Sequence, residues 1–185
     1  MENNDLFKEL ETERLYLKKI DVSYAKDLYD NIYHDIDYYK YYYSVAFENF
    51  EEYQKLIETY AEYYLKGNYF RWGLVLKETN VMIGMVQLHG KDTLNDSCKL
   101  GYTLGKKYQG NGYMKESLEK IIDFAFTTLP VHRIEAEVVT ENKKSLKLVK
   151  KLNMTYEGIR RESYKYQDNY YDQAIFSLLN HKNNI

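Results

Sequence analysis

The chain has 185 residues, 44% of them hydrophobic, with 26 Lys and Arg against 28 Asp and Glu for a formal net charge of −2. That composition supports an ordinary core and excludes wholesale disorder, and its charge gives no global case for binding nucleic acid or an anionic membrane. The single cysteine, Cys98, excludes an internal disulfide and a cysteine metal cluster.

The opening MENNDLFKEL has no basic stretch followed by an apolar run, as a secretory signal would. No window approaches the roughly 18–20 apolar residues of a membrane helix, so a cytoplasmic location is expected. No repeat and no Gly-, Ser- or Pro-rich linker divides the chain, which predicts one domain over residues 1–185. Residues 14–20 read as a first strand with Leu15 and Leu17 on one face. Ser23 is placed to cap a helix whose stripe is Ala25, Leu28, Tyr29 and Ile32. Asn49 and Glu52 have capping-box spacing before a helix carrying Tyr53, Leu56, Ile57, Tyr60 and Tyr64, with Gly67-Asn68 as its stop. Residues 70–77 and 81–89 predict a hairpin turned at Glu78-Thr79-Asn80, and 98–104 a further strand. The periodicity of Met114, Leu118, Ile121, Ile122 and Ala125 predicts a helix over 113–129, stopped by Pro130. A strand over 133–139, a short helix over 142–152 and two strands over 155–166 and 170–179 complete a mixed α/β order. The strand-helix-strand unit in the middle implies a parallel pair with a helix packed on the sheet.

The stretch 100–114, LGYTLGKKYQGNGYM, bears the chemistry. A strand runs into a glycine-containing turn that opens a helix, where free backbone N–H groups and the positive helix end favour an anion. Gly110 and Gly112 allow close approach, so a phosphate-bearing ligand is expected, with an ordinary helix start as the competing reading. The dinucleotide fingerprint fails because Lys115 stands where its third glycine belongs, and no Gly-Lys-Ser/Thr follows for a Walker loop.

Here the sequence resembles the GNAT superfamily of N-acetyltransferases, within it the branch like the ribosomal-protein N-terminal acetyltransferases. The family's coenzyme A loop, Q/R-x-x-G-x-G/A, is matched at Gln109 and Gly112 and departs at Met114. Thr12-Glu13-Arg14-Leu15, Ile83-Gly84, Gly101-Tyr102, His132-Arg133-Ile134, Asn142 with Ser145, Glu157-Gly158 and Asp172 follow the branch's pattern in order. The resemblance covers about residues 11–180. It implies a twisted mixed sheet of about seven strands flanked by about four helices. It implies acetyl-CoA as co-substrate, held by Gln109, Gly110, Asn111, Gly112, Tyr113 and Met114 at the pyrophosphate. Tyr102, Thr103 and Leu104 would pair with the pantetheine arm by strand addition, and Asn142 would touch it. No metal is implied. Lys143 and Lys144 are read either as contacts to the outer phosphate or as a solvated helix face.

The implied reaction is direct attack of an amine on the thioester, with a base for the ammonium proton and an acid for the thiolate. The Tyr acid of many relatives is replaced by Val149, which makes Ser145 the acid candidate, against a reading as a small packing residue. Lys99 stands where many relatives have an acidic residue, so Glu137 is the base candidate, against a reading as a solvent-facing carboxylate. Glu135, two residues away, is expected to push its titration upward. His89 is a lesser base candidate. The acceptor site is expected between residues 23–69 and the C-terminal hairpin, with the run 38–43 as a wall or as packed surface, and Asp168 and Asp172 as possible attractors of a cationic amine. The expected function is acetylation of a primary amine: a protein N-terminus, a polyamine or an amino sugar. The alternative is a degenerate member that binds coenzyme A as a sensor or interaction module. No nucleic-acid or membrane partner is expected, and the chain is expected to be a monomer or homodimer.

Overall fold

A computed structural model of the chain describes residues 7–42, 47–66 and 70–181. They form one eight-stranded sheet in the order β1-β2-β3-β4-β5-β6-β8-β7. The strands are β1 (Leu10–Glu11), β2 (Leu15–Lys18), β3 (Phe70–Leu76), β4 (Val81–Asp92), β5 (Ser97–Leu104), β6 (Arg133–Val139), β7 (Thr155–Tyr166) and β8 (Asn169–Leu179). The helices are α1 (Ala25–Leu28), α2 (Phe50–Glu58), α3 (Tyr60–Lys66), α4 (Tyr113–Thr128) and α5 (Lys143–Lys151). The extra strand over the predicted seven is the two-residue β1, too short to leave a pattern.

β5 and β6 pair parallel, joined through α4, while the other neighbours pair antiparallel. Strand alternation then sorts the side chains into two cores. Leu15, Leu17, Trp72, Leu74, Val86, Leu100, Ile134 and Ala136 meet the buried stripes of α4 and α5 on one face. Val75, Met82 and Met85 meet Ala25, Leu28, Tyr53, Ile57 and Tyr60 from α1, α2 and α3 on the other. β4 is buried continuously from Met82 to Leu88, as a strand covered on both faces must be. The glycine of Ile83-Gly84 has a packing cause: a Cβ there would stand 2.5 Å from the Thr103 carbonyl oxygen, so any side chain would push β5 away.

Two helix expectations are corrected. Asp21, not Ser23, caps the first helical turn, its Oδ1 accepting from the Ser23 N–H at 2.8 Å. A 3₁₀ turn at Val22–Tyr24 leads into α1, and π geometry follows at Tyr29–Tyr33. The helix predicted across Tyr60 breaks at Thr59, whose hydroxyl donates back to the Leu56 carbonyl at 2.7 Å. Asn49 does cap α2, accepting from the Glu52 N–H at 2.9 Å. The Gly67-Asn68 stop lies outside the described residues.

Candidate active site

β5 and β6 are in register only at Ser97↔Arg133, Cys98↔Ile134 and Lys99↔Glu135. Beyond Lys99 the two strands splay, and the β6-facing edge of Gly101 to Leu104 is left to other partners. β5 remains paired to β4 on its other side, so the split has a rigid wall. Below it the chain makes a 3₁₀ turn at Lys106–Tyr108 and enters α4 through Gly112, whose φ is +85°. Among the described residues no side chain caps α4, so its first-turn amides lack both intrahelical and side-chain partners. A Cβ on Gly110 (φ +89°) would meet nothing within 4 Å among the described residues, and one on Gly112 only Arg14 Nη2 at 3.3 Å. An open cradle of uncapped amides beside a strand edge fits a diphosphate with an extended arm.

Arg14 holds this loop in place, a role its sequence position did not disclose. Its Nη1 donates to the Asn111 carbonyl at 2.9 Å, its Nε to Glu116 Oε2 at 2.8 Å, and its guanidinium lies 4.5 Å from the Tyr113 ring centre. Burial opposes ionisation of Glu116, but hydrogen bonds from Thr12 and Arg14 outweigh it and hold its carboxyl below the ordinary range. Gln109 Nε2 donates to the Leu104 carbonyl at 3.1 Å, and its Oε1 accepts from Lys144 Nζ at 2.7 Å. Lys144 thus stands at the loop, whereas Lys143 turns back onto the Thr140 carbonyl.

The split opens into a cleft of about 500 Å³. On its α5 side Asn142 caps the helix, accepting from the Ser145 N–H at 3.1 Å, and Ser145 Oγ lies 2.6 Å from the Tyr102 hydroxyl. Burial pushes Tyr102 up to about 12, with the Ser145 hydrogen bond opposing, so the phenol stays protonated at neutral pH. Tyr102, expected for its backbone, therefore also brings a side chain to Ser145.

Alternation places Arg71, Gln87, Lys99, Glu137 and Gln173 on the opposite, α1–α3 face, a polar band crossing from β3 to β8. Glu137 is 12% exposed and does line the cleft, with Lys99 Nζ at 2.6 Å and Arg160 Nη1 at 3.0 Å, both on Oε1. Its expected upward titration is corrected. Burial raises it, but hydrogen bonds and charge from Lys99 and Arg160 win, and the carboxyl lies below the ordinary range. Glu135 does not press on it unscreened, because Arg133 Nε reaches Glu135 Oε1 at 3.3 Å. His89 also lines the cleft, and burial followed by Lys99 lowers its titration, leaving a neutral imidazole at pH 7. Of the tyrosine run, Tyr41 and Tyr42 line the cleft, Tyr39 is buried in the second core, and Tyr43 lies outside the described residues. Asp172 Oδ1 accepts from the Glu162 N–H at 2.8 Å, and neither it nor Asp168 lines the cleft. Cys98 is buried with its thiol pushed up to about 11 by desolvation, an inert side chain.

Residues 14–155 match the acetyltransferase (GNAT) domain model. The chain belongs to the GNAT acetyltransferases. It is 34% identical over 170 residues to the uncharacterized N-acetyltransferase p20 of Bacillus licheniformis, covering 92% of this chain and 95% of that one. It is 29% identical over 120 residues to the ribosomal protein uS5-alanine N-acetyltransferase of Escherichia coli, covering 63% and 61%. The structure of the microcin C7 self-immunity acetyltransferase MccE with acetyl-CoA and AMP superposes with a TM-score of 0.83 at 24% identity, over 90% of this chain and 93% of that one, a likeness of fold. This GNAT enzyme is accordingly an acetyl-CoA-dependent N-acetyltransferase.

Proposed function

We propose that the enzyme acetylates the primary amine of a small molecule or a protein N-terminus by direct attack on the thioester. The observation that carries this reading is the cleft at the β5–β6 split, with Ser145 and Tyr102 on one side and Glu137 on the other. When bound, acetyl-CoA supplies the electrophilic thioester carbonyl. The amides of Asn111, Gly112, Tyr113 and Met114 hold the diphosphate, with Gly110 giving room and Gln109 tying the loop to Leu104. The edge of Tyr102, Thr103 and Leu104 aligns the arm, and Asn142 fixes the turn that presents Ser145.

The proton traffic divides between the two walls. Glu137, kept ionised by Lys99 and Arg160, receives the nitrogen's proton directly or through water. A low carboxyl pKa suffices for this, because nitrogen becomes far more acidic as it bonds to the carbonyl carbon. Tyr102 donates to Ser145 Oγ, which leaves the serine's own proton for the departing sulfur. Tyr102 is on this reading a positioning residue, and Ser145 the group that meets the thiolate.

Thermal melts and thiol release test the proposal together. A ligand at 100 times its Kd stabilises the native state by about 2.7 kcal/mol, so acetyl-CoA raises Tm, and some amine in a panel of peptides, polyamines and amino sugars releases thiol. A Tm shift with no thiol release from any amine would mark a coenzyme A-binding sensor or interaction module instead. No shift at roughly 500 µM acetyl-CoA would remove the site itself.

A further inference from the structure

The acceptor's chemical class follows from the charge around the cleft. The whole chain is net negative at −2. Among the described residues that line the cleft, the charges have the opposite balance, two cationic side chains to one carboxylate. Arg71 and Lys99 line it, and Arg160 reaches its one described acidic lining residue, Glu137. Lys99 and Arg160 both bond the same oxygen of that carboxylate, and Arg71 lines the same cleft from β3. His89 adds no charge, because burial and then Lys99 lower its titration and leave the imidazole neutral at pH 7. Such a cleft repels an acceptor carrying several ammonium groups, since each meets a net positive field in a partly desolvated site.

The arrangement of Arg71 shows what it welcomes. Its Nε and Nη2 both bond Gln87 Oε1, at 3.2 and 2.9 Å, and its guanidinium lies 4.2 Å from the Tyr60 ring centre. The guanidinium is thus held flat at the cleft wall, in a fixed orientation suited to a planar anion. Tyr33 and Tyr42 line the same cleft and supply an apolar face. The cleft of about 500 Å³ must take the thioester end of acetyl-CoA as well as the acceptor, which limits the acceptor's share of it to a small group.

Resting on the acetyl-transfer reading above, we propose that the acceptor is a small amine that also carries an anionic group, a carboxylate or a phosphate, seated against Arg71 and Lys99. The amine end lies toward Glu137 and the thioester, and the anion toward the guanidinium. Acetylation turns the acceptor's ammonium into a neutral amide, so the product carries one positive charge fewer.

The experiment compares matched acceptors. Each of the common amino acids is assayed against its own amide, and phosphoethanolamine against ethanolamine, with spermidine and a neutral alanine-initiated peptide alongside. Binding is read by calorimetric titration in the presence of coenzyme A, and turnover by thiol release. A hydrogen-bonded ion pair in such a site is worth roughly a tenfold to a hundredfold preference, so at least one anionic member should exceed its neutral partner by that factor. The amino acid pairs and the phosphate pair identify which anion the site takes. Arg71→Gln should bring the ratio of anionic to neutral partner close to one. The wild-type ratios stand independently should that variant fold poorly. Equal use of the two partners, a preference for spermidine or the peptide, or no binding of any anionic amine overturns the inference while leaving acetyl transfer intact. Anionic amines that bind with the stated preference but release no thiol uphold it and remove the acetyl-transfer reading instead.

Discussion

The 2.6 Å contact between Ser145 Oγ and the Tyr102 hydroxyl turns a serine with two sequence readings into a testable pair. Ser145→Ala should lower kcat roughly tenfold to a hundredfold with acetyl-CoA affinity nearly unchanged, because a thiolate is already a fair leaving group. Tyr102→Phe should lower kcat by less. The double variant should cost no more than Ser145→Ala alone if, as proposed, Tyr102 acts only through the serine. Additive losses, measured with chemistry shown to limit the rate, would separate the two roles. Glu137→Gln should lower kcat/KM by roughly 10²–10⁴-fold near pH 7, and the loss should shrink at high pH, where hydroxide can take the adduct's proton in its place. The carboxyl is held below its ordinary range, so the wild-type profile should show no acid limb from Glu137 between about pH 5.5 and 8. Wild-type activity in Glu137→Gln, read as a pH profile, would pass the base role to His89 or water.

At the scale of elements, the loop and the C-terminal strands each depend on one arginine. Gly112 opens α4 at φ +85°, a conformation costly for a branched residue, and a valine there would also crowd Arg14. Gly112→Val should therefore abolish the Tm rise given by acetyl-CoA, and a folded variant with a normal shift would disprove the phosphate cradle. Arg133 on β6 forks onto Glu157 on β7 at 2.7 and 2.6 Å, and Ser177 Oγ adds a third bond at 2.6 Å. Those bonds hold Glu157 down to about 2. A depressed carboxyl stabilises the fold above its unfolded value, about 4.3, and that contribution fades as pH falls toward the folded value. Denaturant midpoints of wild type and Glu157→Gln should differ at pH 7 and converge by about pH 2. The pair is more than a third exposed on the Glu157 side, so the gap should also narrow in high salt.

Across the whole molecule, the sheet joins two cores of different character. Trp72 is fully buried in the α4–α5 core, packed on Phe7, Phe70 and Phe124, while the opposite core is built on Tyr33, Tyr39, Tyr53 and Tyr60. β3 and β4 contribute to both, so loss of either core unpacks strands the other needs. Unfolding followed by Trp72 fluorescence should coincide with the near-UV signal of the tyrosine core and with far-UV dichroism. Separated midpoints would mean that the α1–α3 layer melts on its own.

Periodicity by itself determined most strands and the two long helix patterns, because burial on a sheet face or helix stripe is written in spacings of two or 3.6 residues. The strand, glycine turn and helix over 100–114 were legible for the same local reason, but glycines also serve ordinary helix starts, and the coenzyme A reading of that turn rested on the family resemblance. Short elements left no such record, so β1 and the break at Thr59 went unread, and Asp21 outcompeted Ser23 for a cap two residues away. What only the tertiary structure decided were the meetings of distant residues. Arg14 reaches Asn111 across 97 positions, Lys99 reaches Glu137 across 38, and Tyr102 reaches Ser145 across 43. The titration of Glu137 turned on such a meeting. Its neighbour in sequence, Glu135, predicted a rise, but strand register brought Lys99 and Arg160 onto it instead. Charge acts through space at a few ångströms, and in this sheet those neighbours come from other strands, Lys99 from β5 beside β6 and Arg160 from β7 beyond β8.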